Sequence, residues 1–229
     1  MIDATGTRLR PGALLVERGR GMPRLLAVGT PAEVASHPAA NAARLVQRPD
    51  SVLIPGLVNA HTHLDLTHLG PMDHDPDAGF VTWVDRIRAG RRTDSVEIAA
   101  SVRLGIERSL AGGTVAVGDI AGAVDRAMTT VPYETLAASA LLGVSFAEFF
   151  GIGTGESGSL ERVERFVEAH CRVGSAAPPP SDAAPRGGGV RLGLQPHAPY
   201  TVSPHLYQRV VRLAGEAGLP VSTHLAETP

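Results

Sequence analysis

The sequence predicts a parallel α/β fold, and three observations lead to that expectation. From Leu57 onward, short apolar runs alternate with segments of helical spacing. Several of those runs end in histidine or carboxylate residues, as do strands whose C-terminal ends build a site. Residues 1–56 lack this alternation and read as short strands joined by Gly/Pro-rich connectors.

In the first part, Ala13-Leu-Leu-Val-Glu17 and Arg24-Leu-Leu-Ala-Val28 are apolar runs of strand length. Thr30-Pro-Ala-Glu33 has the spacing of a capping box, with Pro31 at the first helical position. Two further strands are expected near Arg44–Gln47 and Ser51–Ile54.

In the second part, the first strand runs from Leu57 to about Thr62. Residues 80–88 and 94–110 are expected helices; in the latter Val96, Ile98, Ala99, Val102 and Ile106 fall near helical spacing. A second strand covers 112–119 and a short helix is expected at 121–128. A third strand lies within 141–150, a helix within 160–173, a fourth strand at 190–195, a helix at 204–217 and a fifth strand at 219–224. Five strand–helix units in a row leave two architectures open, a closed (β/α)8 barrel and an open doubly wound sheet. The low-complexity stretch 174–189 reads as a flexible insertion, not a domain boundary.

Composition narrows the function classes. The chain has 229 residues, 43% of them hydrophobic, and a formal net charge of -2. That charge gives no electrostatic case for nucleic acid or an anionic membrane. No apolar run approaches the roughly 20 residues that span a bilayer, and the N-terminus has no signal-peptide core. Cys171 is the single cysteine, so an intramolecular disulfide and a cysteine-based zinc site are both excluded. The expectation is a cytoplasmic protein with a small-molecule substrate. The sequence contains no lysine, which removes lysine Schiff-base chemistry.

The chemistry-bearing residues lie at expected strand ends. His61 and His63 stand two apart, so strand alternation points both imidazoles the same way, where they can share a metal ion. The bland alternative is a chance pair of structural histidines. His224 closes the expected fifth strand, with Glu227 three residues on. A carboxylate beside a metal can move protons for water; equally, Glu227 can simply begin a helix and meet its dipole. His197 follows the fourth strand in a turn stiffened by Pro196 and Pro199, ahead of a helix capped by Ser203. It can donate a hydrogen bond to substrate, or be only a rigid loop residue. Asp65, Asp119 and Glu148 also sit near strand ends and can line the mouth of a site. Trp83 is core or a substrate wall. The glycine-rich run 151–158 lacks phosphate-loop spacing and reads as a loop.

Together these segments resemble the amidohydrolase superfamily, in its deaminase and chlorohydrolase-like branch. Pro55-Gly-Leu-Val-Asn-Ala-His61-Thr-His63 is similar to the branch's first-strand metal motif. Pro196-His197-Ala-Pro-Tyr-Thr-Val-Ser203 is similar to its substrate-contacting histidine loop, and His224-Leu-Ala-Glu227 to its fifth-strand ligand and proton shuttle. The His61-Thr-His-Leu-Asp-Leu-Thr67 run, with Trp83 downstream, looks most like the aminodeoxyfutalosine deaminase group.

The resemblance implies a partial (β/α)8 barrel at 57–229, carrying the first five strands. It implies that residues 1–56 are the N-terminal share of a small β-sandwich. It also implies a mononuclear centre, because the bridging carboxylated lysine of binuclear members has no counterpart here. His61, His63 and His224 would hold one divalent ion, zinc first and iron second. Glu227 and His197 would be catalytic, and His197 and Trp83 would contact substrate. The implied reaction is hydrolytic deamination of an aminated purine-like ring: water activated at the metal attacks the amine-bearing carbon, and Glu227 passes the proton. The same constellation also suits displacement of chloride or opening of a cyclic amide. The family's sixth-strand histidine and eighth-strand aspartate do not occur before Pro229. The expectation is therefore an N-terminal fragment: inactive alone, or working as a homo-oligomer or with a complementary C-terminal chain.

Overall fold

The computed structural model describes residues 1–2, 5–6, 8–19, 23–72, 77–124, 127–170 and 189–225. The chain divides into two units, Met1–Gly56 and Leu57–Pro229.

In the first unit, β1 (Ala13–Glu17) and β2 (Arg24–Gly29) form an antiparallel pair, with Ala13 opposite Gly29 and Glu17 opposite Arg24. Helix α1 (Pro31–Ala35) starts at the expected capping box. Glu33 N–H donates to Thr30 Oγ1 at 3.4 Å, and Thr30 N–H donates to Glu33 Oε2 at 2.7 Å. Two otherwise orphaned backbone donors are thereby satisfied. These bonds from Thr30 hold the Glu33 carboxyl below its usual range. The strands expected at 44–47 and 51–54 do not form. Leu45 is 79% exposed and Val52 69%, so burial supplies little to hold either segment extended against a partner. Among the described residues, a ladder-like bond there runs from Ile2 N–H to the Leu53 carbonyl.

In the second unit, the strands expected from apolar runs form a parallel sheet. It contains β3 (Leu57–Thr62) and β4 (Thr114–Ala121). Between them lie α2 (Gly79–Gly90) and α3 (Ser95–Ala111). Asp94 caps α3 by accepting from the N–H groups of Val96 and Glu97. After β4 the chain makes a short hairpin, β5 (Ala123–Val124) with β6 (Ala127–Met128), in place of the expected helix at 121–128. Gly122, at φ 94°, turns the backbone where a helix would have to continue. A helix begins later instead, α4 (Val131–Ala137), with Pro132 in its first turn. Then come β7 (Leu142–Phe149), α5 (Glu156–His170), β8 (Val190–Pro196) and α6 (Pro204–Ala217). Helix α5 starts inside the glycine-rich run that reads as a loop in the sequence. The expected insertion, save Gly189, lies outside the described residues.

The sheet order is β3-β4-β7-β8, with neighbours parallel. The fifth expected strand is reduced to one parallel bridge between Leu194 and Val221. Leu194 N–H donates to the Pro220 carbonyl, and Ser222 N–H donates to the Leu194 carbonyl. The segment runs beside β8 but does not extend the ladder, so four strands form where five were expected.

Helices cover one face of this sheet. Ala147, Phe149, Leu192 and Leu194 pack with Val163, Phe166 and Val167 of α5 and Leu206, Val210 and Ala214 of α6. A second cluster joins Val117 and Leu64 to Ile98, Val102 and Ile106 of α3. Each fully buried aliphatic side chain contributes about 1.5–3 kcal/mol. Alternation along β7 then sends Glu148, between Ala147 and Phe149, to the opposite face. Register places Gln195 of β8 beside it. Among the described residues no helix is long and apolar enough to cross a membrane.

Candidate metal centre

Strand β3 delivers His61 within its last two residues, and His63 follows immediately. The β3–β4 register shifts between Asn59 and Thr62, so simple alternation is interrupted there. The rings nonetheless converge, with centroids 5.3 Å apart at a 75° interplanar angle. Backbone anchors set their height: Leu64 N–H donates to Asp119 Oδ1 at 2.9 Å, which ties the turn after His63 to β4.

His224 reaches the same point from the far end of the unit. Its backbone N–H donates to the His197 carbonyl at 2.7 Å, and Thr223 Oγ1 donates to that carbonyl at 3.1 Å. The His224 ring centroid lies 4.9 Å from that of His61 and 5.5 Å from that of His63. One ring nitrogen from each of the three falls within 4.8 Å of the others. Ligand nitrogens around a tetrahedral zinc ion stand about 3.3 Å apart, so small ring rotations complete such a shell.

The electrostatics suit a cation. Burial lowers His63 to about 4, helped by His224, His61 and Arg91 and opposed by Glu148. A neutral imidazole is the form that binds a metal. Nδ1 of His63 is buried without a hydrogen-bond partner, an atom a bound cation or its water would satisfy. His61 is exposed and His224 buried, so the cluster opens on one side.

Glu148 supplies the negative charge behind the histidines. Its Oε1 lies 3.3 Å from Nε2 of His224 and 4.0 Å from Nε2 of His197. Burial alone would raise this carboxyl, but His224, His197, His63 and Arg91 together bring it below its ordinary value. In the sequence Glu148 is only one of three acids near strand ends; a charged residue inside an apolar strand run was the available signal. The other two make contacts within the fold. Asp65 is raised to about 6 by burial, against the pull of Arg91, whose guanidinium sits 3.1 Å from its Oδ2. Asp119 is raised to about 7 by burial and by Asp65, and accepts from Leu64 N–H and Ser145 Oγ.

His197 joins the cluster, its ring centroid 4.9 Å from that of His224 and 4.5 Å from that of Phe150. Thr201 Oγ1 holds the His197 ring in place from 2.8 Å at Nδ1, and Nε2 faces Glu148. Trp83 stands on α2, 38% exposed, and its ring contact among the described residues is with Phe80. Glu227 lies outside the described residues. His68, with bonds to Ser101 Oγ and the Gly90 carbonyl, ties α2 to α3 and is structural.

Comparison with known proteins identifies the family. The model of the amidohydrolase family matches residues 52–229. The 5-methylthioadenosine/S-adenosylhomocysteine deaminase of Nitratidesulfovibrio vulgaris (strain DSM 19637 / Miyazaki F) is 35% identical over 232 residues, covering 99% of this chain and 47% of that protein. Among solved structures, Helicobacter pylori aminofutalosine deaminase bound to methylthio-coformycin has a TM-score of 0.63 at 20% identity, over 89% of this chain and 44% of that one. The zinc complex of atrazine chlorohydrolase from Arthrobacter aurescens has a TM-score of 0.62 at 17% identity, over 93% and 48%. At these identities the two structures speak for the fold. The chain spans about half the length of the curated relatives it matches. On the strength of a family match that runs through the whole second unit, the chain belongs to the amidohydrolase family.

Proposed function

We propose that this chain carries the metal-binding half of a hydrolytic deaminase acting on an aminated purine-like ring, in the manner of the methylthioadenosine/S-adenosylhomocysteine deaminases it resembles. The observation that carries the reading is the convergence of His61, His63 and His224 from opposite ends of the second unit, with a buried carboxylate behind them.

In this reading His61, His63 and His224 hold one divalent ion, zinc in the first instance. When bound, such an ion makes water acidic enough to serve as a nucleophile near neutral pH. Glu227, three residues beyond His224, would take one proton from water and pass it to a ring nitrogen as the water oxygen bonds to the amine-bearing carbon; the second proton goes to the amine, the carbon–nitrogen bond breaks and ammonia leaves. His197 meets the substrate through a hydrogen bond at Nε2. Trp83 lines the substrate's approach. Residues 1–56 are the N-terminal share of a small β-sandwich, and the second unit is the first part of a (β/α)8 barrel. A homo-oligomer or a complementary C-terminal segment completes the catalytic shell.

The test is release of ammonia from 5'-methylthioadenosine by the zinc-loaded protein, alongside chloride release from a chlorinated triazine. Ammonia that disappears in a His61→Asn variant supports the deaminase. Chloride without ammonia moves the reaction to the chlorohydrolase branch. Zinc binding without either product identifies the chain as a subunit that needs its complement.

A further inference from the structure

We infer that Gln195 is a positioning residue of the site: in the metal-bound chain its side-chain amide holds the Glu148 carboxylate, and through it the setting of His224 and His197. The inference rests on the reading of His61, His63 and His224 as a metal site.

Gln195 is fully buried, and among the described residues neither Oε1 nor Nε2 of its amide has a hydrogen-bond partner. An amide accepts at one atom and donates twice at the other, so both capacities stand unused. Buried polar side chains are seldom left in that state, because they lose water and gain nothing in exchange. Packing does not call for the amide. Leu192 and Leu194 make the apolar contacts of β8 with α5 and α6, and alternation turns Gln195 to the opposite face. An apolar side chain of the same length would fill that place without the desolvation.

The second observation is what lies beside the amide. Register pairs Gln195 with Glu148, and Gly193 with Phe146. A Cβ at Gly193 would meet the Phe146 ring, so the two strands present these residues on one side. One step back along the strands, the surroundings of Gln195 are therefore aromatic. Directly across from it is the Glu148 carboxylate, which can accept several hydrogen bonds at once. Its Oε1 is 3.3 Å from Nε2 of His224 and 4.0 Å from Nε2 of His197. In the metal-free chain Glu148 thus has His224 as its partner. Once the His224 ring turns to serve as a ligand, the carboxylate needs another donor, and Nε2 of Gln195 is placed to supply it. Gln195 accordingly lowers the stability of the metal-free chain and raises its affinity for the metal. That is the opposite of what a buried strand residue does when its role is packing.

The experiment uses Q195M in the whole chain, which keeps the length and unbranched shape of the side chain and removes both polar atoms. Without metal, the midpoint of thermal unfolding is expected to stay where it is or to rise by up to about 4 °C. Zinc affinity by calorimetry is expected to fall roughly tenfold. In an E148Q background the same change should alter zinc affinity by less than about threefold, because the charged acceptor is already gone. An unchanged affinity in Q195M overturns the inference. So does an equal loss in both backgrounds, or a midpoint that falls by more than about 4 °C, which makes Gln195 an ordinary core residue. Each of these leaves the three-histidine site standing. A wild-type chain that binds no zinc overturns both readings together. Should Q195M not fold by circular dichroism, Q195L is read in the same way; should E148Q bind zinc too weakly to measure, affinity and midpoint in the single variant decide.

Discussion

Glu148 Oε1 stands 3.3 Å from Nε2 of His224, with both side chains buried. This pair joins the end of β7 to the segment after α6, which the sheet itself meets at the bridge between Leu194 of β8 and Val221. The Glu148 carboxyl is below its ordinary value of 4.5 in the folded chain. A lowered acid contributes stability above its unfolded pKa, and that contribution is lost as pH falls through the folded value. In the metal-free chain, Glu148→Gln is therefore expected to cost roughly 1–3 kcal/mol at pH 7. The difference shrinks as pH falls below 4.5 and through the lower folded value. Urea unfolding at the two pH values measures both.

Asp119 acts with the opposite sign. Its folded pKa is raised from 3.8 to about 7, so its contribution is full below 3.8 and is lost as pH rises towards 7. Asp65, raised to about 6, adds in the same direction. Asp119→Asn preserves a carbonyl oxygen for Leu64 N–H and removes the charge. The variant is expected to show a shallower decline in stability between pH 4 and 7 than the metal-free wild type, the difference having a ceiling of roughly 4 kcal/mol. Thermal unfolding across that range reads the slope; an identical slope in the variant contradicts the assignment.

Gly118 of β4 controls the position of β3. A Cβ at Gly118 would run into the carbonyl oxygen of Ala60, next to His61. Gly118→Ala must therefore push β3 outward and carry His61 and His63 with it. The expected cost is about 1–3 kcal/mol in stability. Zinc affinity should fall further than that, because ligand spacing changes directly. Paired calorimetry and denaturation separate the two effects.

Leu194 is fully buried and belongs to the cluster between the sheet and helices α5 and α6. Its N–H and C=O also hold the segment that leads to His224. Leu194→Ala is expected to destabilise the second unit by about 2–5 kcal/mol in chemical denaturation. His224 should lose its fixed position before global unfolding, visible as weaker zinc binding at denaturant concentrations where the helices persist.

Much of this arrangement was legible in the sequence where the signal is local. The capping residues Thr30 and Ser203 stand where the structure uses them, because side chain and backbone meet within three residues. The strands of the parallel sheet follow from apolar runs that burial rewards. The residues at 44–47, 51–54 and 219–224 are equally apolar, yet become strands only where a partner edge pairs with them, and a partner is not written in the local pattern. The helix expected at 121–128 gave way to a hairpin because Gly122 turns the chain. Among the candidate site residues, His61, His63, His197 and His224 were visible as polar ends of apolar strands, and the structure brings them together. Glu148 and Arg91 acquire their weight only from contacts across the fold, 76 residues from His224 in one case and 26 from Asp65 in the other.

His224 completes the three-histidine set, so its removal tests the central claim most directly. Zinc titration of the wild-type chain is expected to show one equivalent bound. The His224→Asn variant, folded by circular dichroism, should bind at least about a hundredfold more weakly. Equal binding by the variant and the wild type would show that the histidine cluster at the end of this sheet is not a metal site.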